Sequence, residues 1–109
     1  MDLSEIRKEI DRVDADLMKA FLERMELSEQ VAAYKLERGI PILNREREKA
    51  VLDKANAAAG EQGRFAVPLY AVLMALSRTR QAEMSGTDAN LERELLQAIE
   101  DWKSYQQTL

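Results

Sequence analysis

Arg24 and Lys35 lie eleven residues apart, and at about 100° per helical residue they point within about 20° of each other. Their Cα atoms would stand ~16 Å apart, so two long side chains leaning inward could hold opposite ends of a small dianion. Further along, Asn44-Arg45-Glu46-Arg47-Glu48 opens a second helical pattern, and Ser77 and Gln81 stand four residues apart on a line continued from Leu73. Arg24, Lys35, Arg47, Glu48, Ser77 and Gln81 thus form a candidate inward-facing set without a nucleophile or an acid–base dyad. The chain has no cysteine and no histidine, which excludes thiol and imidazole catalysis, disulfides, the usual zinc sites and the Glu-x-x-His di-iron pattern. What remains suits binding of an anionic ligand and stabilisation of charge on it, with little covalent chemistry by the protein.

Each residue also has a plainer reading. Arg24 would pair with a structural carboxylate, and Lys35 would be a cation favoured near a helix C-terminus. Arg47 and Glu48 would be a solvated helix start, and Ser77 and Gln81 a polar shoulder of the core. Arg7 lies about 80° from Lys35 on the helical wheel, poorly placed for a pocket in its own chain but able to serve a neighbour's across a dimer.

The elements that must hold these groups are helices. Leu3, Ile6, Ile10, Val13, Leu17, Ala20, Arg24, Leu27, Val31 and Tyr34 follow at steps of three or four, and Arg24 is the only charge in that seam. An unpaired buried charge costs on the order of 3–5 kcal/mol, so Arg24 requires a counter-charge or a bound anion. Asp2 with Glu5 forms a capping-box pattern, and Gly39 followed by Pro41 is a stop, which predicts a first helix over 3–38, roughly 54 Å long. Nothing else in a 109-residue chain can cover it, and a second copy is the simplest partner. Asn44 is a fitting N-cap for a helix from about Arg45 to Ala59, Gly60 and Gly63 bracket a turn, and Pro68 suits the first turn of a third helix ending near Met84. Leu91, Leu95, Ala98, Trp102 and Tyr105 mark a fourth. The expectation is an all-α fold, with a helical domain over 1–84 and a C-terminal helical extension over 85–109.

Composition agrees. Apolar residues at 46% and charged residues at 33% fit a soluble helical protein. No run approaches the ~18 apolar residues of a spanning helix, and Met1-Asp2-Leu3-Ser4-Glu5 lacks a secretory pattern, so a cytoplasmic location is expected. A net charge of −4 without a basic tract argues against nucleic acid as the main partner.

The sequence resembles the all-helical (type II) chorismate mutases over residues 3 to about 84. The resemblance rests on Ile6-Arg7, Leu22-Glu23-Arg24-Met25, Ala33-Tyr34-Lys35, Pro41-Ile42-Leu43-Asn44-Arg45-Glu46-Arg47-Glu48 and Leu76-Ser77-Arg78-Thr79-Arg80-Gln81, in that order and spacing. It implies the [3,3] rearrangement of chorismate to prephenate, on the route to phenylalanine and tyrosine, in an intertwined homodimer that needs no cofactor or metal. It further implies that Arg24 binds a substrate carboxylate and that Arg7 reaches one in the other subunit's site. Lys35 and Gln81 match the pair on the ether oxygen, Glu48 the residue on the ring hydroxyl, and Arg47 and Ser77 supporting polar positions.

Two features stand apart from that pattern. Asn44 stands where many relatives have an aspartate; it serves equally if the position acts as an N-cap or through its backbone, and weakens hydroxyl binding if the charge matters. Residues 85–109 exceed the family core and hold five acidic and two basic residues, most of the chain's negative charge. Their apolar stripe either packs on the core, docks a partner enzyme or begins a linker. The alternatives to a mutase are an isochorismate pyruvate lyase of the same fold, a helical dimerisation module and a non-catalytic regulator; the Arg47-Glu48 pair favours the mutase over the lyase.

Overall fold

A computed structural model describes all of residues 1–109 and contains four α-helices and one short 3₁₀ turn, without strands. Helix α1 spans Leu3–Arg38, α2 Arg45–Ala59, α3 Gly63–Ser85 and α4 Leu91–Gln106, with the 3₁₀ turn at Gly60–Gln62. Asp2 caps α1, its Oδ1 accepting from the Glu5 N–H at 2.8 Å. At the other end Gly39 turns left-handed at φ 66° and the Ile40 N–H reaches back to the Lys35 carbonyl at 2.9 Å, so the chain leaves the helix one turn after the lysine. Asn44 caps α2 by accepting from the Arg47 N–H at 3.0 Å, the role in which asparagine and aspartate are equivalent.

Helix α3 begins five residues before Pro68, earlier than the sequence predicts. The 3₁₀ turn delivers the chain already coiled, and the carbonyl of Arg64 that Pro68 cannot bond belongs to an exposed residue. Gly63 lets α3 start close against α2, since a Cβ there would meet Asn56 Oδ1 and displace that side chain.

Helix α3 is the hub, packing against α1, α2 and α4, whereas α1 packs on α3 alone. Its Val67, Ala71, Met74 and Ala75 form the core with Leu52 of α2 and Ala98 and Tyr105 of α4, and Leu95 and Trp102 pack against that cluster. Leu69, Val72, Leu73 and Leu76, on another side of α3, line a groove of about 510 Å³ between α3 and α1, with Leu17, Met18 and Phe21 opposite. The N-terminal arm of α1 is uncovered: Leu3, Ile6, Ile10, Val13 and Leu17 are 43–59% exposed. No helix is long and apolar enough to cross a membrane.

Candidate active site

Because α1 and α2 both rest on α3 without touching each other, a cleft of about 280 Å³ opens between them. Arg24, Ser28 and Lys35 enter it from α1, Asn44, Arg47 and Glu48 from the start of α2, and Ser77, Arg78 and Gln81 from α3. Every residue singled out from the sequence is therefore in one place except Arg7, which is exposed on the free arm of α1.

Of the four cations lining the cleft, Arg24, Lys35 and Arg47 have no carboxylate within ion-pair distance, and Arg78 alone is paired. Arg24 makes one long hydrogen bond, from Nη1 to the Leu73 carbonyl at 3.4 Å. Burial lowers its pKa and the nearby Arg47 cation adds to that, against an opposing influence from Tyr70. The structural-carboxylate reading of Arg24 is thus not met, and an anion in the cleft would relieve both costs. Lys35 is anchored, Nζ donating to the Ile42 carbonyl at 2.7 Å, so the loop after α1 fixes the ammonium beside the α2 N-terminus. That terminus carries partial positive charge of its own.

The floor is a polar chain. Gln81 Nε2 donates to Ser77 Oγ at 3.0 Å, Ser77 and Ser28 share a hydrogen bond at 2.7 Å, and Ser28 Oγ donates to the Arg24 carbonyl at 3.0 Å. Gln81 is 7% exposed and its Oε1 has no partner, an unsatisfied buried acceptor of the kind found where a ligand completes a network.

Glu48 projects from the first turn of α2 with Oε2 held by Arg78 Nη1 at 2.6 Å and Oε1 only loosely approached by Arg45 at 3.5 Å. Burial works against the charge on Arg78, and the hydrogen bonds and charges of Glu48 and Glu94 outweigh it, raising its pKa. Ser28 and Arg78 were not among the residues singled out. Both carried a signal: Ser28 stands four after Arg24 beside the seam, and Arg78 ends the apolar line Val67, Ala71, Met74, Ala75.

An all-helical protein whose cleft gathers three cations without carboxylate partners beside a row of hydrogen-bonding side chains is suited to holding an anion. Comparison with known proteins agrees: residues 6–82 match the family described as chorismate mutase type II, and the chain belongs to that family. It is 32% identical over 84 residues to a chorismate mutase of Methanocaldococcus jannaschii, covering 74% of this chain and 85% of that one. It is 32% identical over 76 residues to a 4-amino-4-deoxychorismate mutase of Streptomyces venezuelae, covering 67% of this chain and 74% of that one. A bifunctional chorismate mutase/prephenate dehydratase of Aquifex aeolicus is 36% identical over 53 residues, 49% of this chain and 15% of that longer protein. No solved structure gives a significant match.

Proposed function

We infer that the cleft carries out the rearrangement of chorismate to prephenate, the activity of the family to which the chain belongs. The protein is a chorismate mutase, an isomerase. The observation that carries the assignment to this cleft is its three unpaired cations around a buried amide. In the reaction the ether C–O bond breaks as the enolpyruvyl methylene bonds to the ring, so no proton or electron need be exchanged with the protein. Negative charge grows on the ether oxygen as that bond stretches. Lys35 and the second N–H of Gln81 Nε2, whose first is held by Ser77, are the donors to it, and their contact is stronger in the transition state than in the ground state. Arg24, with Arg47 and Ser77 in support, binds a carboxylate and favours the folded conformer that brings the bonding carbons together. Glu48 accepts the ring hydroxyl through its free oxygen, and Asn44 holds the α2 start in register.

The active species in this reading is a homodimer. The groove between α1 and α3 runs up to Arg24, which lines both groove and cleft. A second copy's α1 laid there covers the exposed seam and delivers its Arg7 to the substrate's other carboxylate. A cytoplasmic enzyme of aromatic amino acid biosynthesis is the setting that this reading implies.

The test is incubation of purified protein with chorismate or isochorismate and identification of the product. Prephenate from chorismate, lost in Arg24→Ala, is expected; cleavage of isochorismate to pyruvate without prephenate formation would overturn the assignment.

A further inference from the structure

Arg78 is 8% exposed and joins three helices. From α3 its Nη1 donates to Glu48 of α2 at 2.6 Å and its Nε to Glu94 of α4 at 2.9 Å, and its Nη2 lies 3.9 Å from Asp101 of α4. Arg45 closes the ring, 3.0 Å from Asp101 and 3.5 Å from Glu48. Gln97 steadies Asp101 from the preceding turn, donating to its Oδ1 at 3.0 Å. Glu48 has no hydrogen-bonding side chain but Arg78, so the direction of its carboxylate depends on where that guanidinium stands. Glu94 in turn holds the guanidinium by a hydrogen bond, whereas Asp101 acts on it by charge alone, Nη2 having no hydrogen-bond partner.

We propose that α4 is part of the catalytic apparatus: Glu94 and Asp101 are positioning residues that act through Arg78 and Arg45 to hold Glu48 with one oxygen committed and the other free for the substrate's ring hydroxyl. The inference rests on the assignment of the cleft as the chorismate site. The physical reason is competition for a shared cation. With three carboxylates around it, Arg78 is held between helices and spends part of its attraction on α4. With Glu94 and Asp101 neutralised, its whole charge falls on Glu48, drawing both oxygens toward α3 and away from the substrate. The C-terminal helix, which the family match over 6–82 does not include, thereby tunes a group inside that match.

A packing role for α4 alone would not discriminate among active-site residues, and this separates the two accounts. Steady-state kinetics with chorismate are compared for wild type, Glu94→Gln/Asp101→Asn, Glu48→Gln and the combined variant, each with its helicity and Tm checked by circular dichroism. The paired substitution is expected to lower kcat/KM about tenfold in the wild-type background, a misplacement effect, and less than about twofold once Glu48 is already neutral. Equal losses in both backgrounds would overturn the proposal, as would an unchanged kcat/KM in the first. If the paired variant does not fold, Glu94→Gln alone takes its place with the same two backgrounds and the same opposing outcomes. Absence of chorismate turnover by the wild type contradicts the assignment of the site together with this proposal; turnover with equal losses contradicts this proposal alone.

Discussion

Gln81 and Arg24 separate catalysis from stability at the level of single side chains. A carboxyl at position 81 would be buried, which favours its neutral form, and only that form donates to the ether oxygen. Gln81→Glu should therefore retain activity at acid pH and lose it progressively toward neutrality, whereas a pH–rate profile parallel to wild type would count against Gln81 as the donor. Arg24 costs the folded chain burial without a counter-charge. In Arg24→Met the ligand-free Tm should be equal or higher, and prephenate, which should raise the wild-type Tm, should no longer do so. A prephenate shift preserved in that variant would remove Arg24 from the site. Most of these residues were legible in the sequence, because a charge in an apolar seam and a polar pair continuing an apolar line both imply an inward ligand. Arg78 obeys the same rule in α3, but its role is not legible there, since its partners Glu94 and Asp101 lie on a helix whose docking no local pattern fixes.

Helix boundaries at Asp2, Gly39 and Asn44 followed from capping chemistry, which is local and therefore written in the sequence. The start of α3 did not, because its entry through a 3₁₀ turn and the close approach of Gly63 to Asn56 are tertiary facts. Which side of α3 forms the core was likewise decided by α4. That docking includes Tyr105, whose hydroxyl donates to Asp53 of α2 at 2.7 Å. Burial and the Asp53 carboxylate raise the Tyr105 pKa. A raised folded-state value means that the tyrosine's contribution is complete below about pH 10, the unfolded value, and is lost as pH rises through the folded one. Thermal melts across alkaline pH should accordingly show Tyr105→Phe less stable than wild type at neutral pH, with the difference shrinking above about pH 10. A difference independent of pH would argue against the Asp53 bond.

The single chain is more open than a compact protein of its size. It exposes 7990 Å², against about 6,100 Å² for a compact protein of its mass, and its radius of gyration is 15.9 Å, against about 13 Å. Exposed apolar side chains run along the α1 seam and the groove on α3 beside it. Sedimentation should give a dimer, and Leu17→Glu, at an exposed position of that groove, should give an inactive helical monomer. Mixing unfolded Arg7→Ala and Lys35→Ala chains and refolding them together should restore turnover that neither has alone, since one site in each heterodimer is then intact. No recovery would mean that Arg7 serves its own chain or none. The central claim is that a fixed ammonium in the cleft stabilises charge that appears only as the ether bond breaks. The kinetics of chorismate conversion to prephenate by wild type and Lys35→Ala test it directly. The account predicts a fall in kcat of about 10²–10³-fold with a much smaller change in KM; an unchanged kcat, or a loss confined to KM, would contradict it.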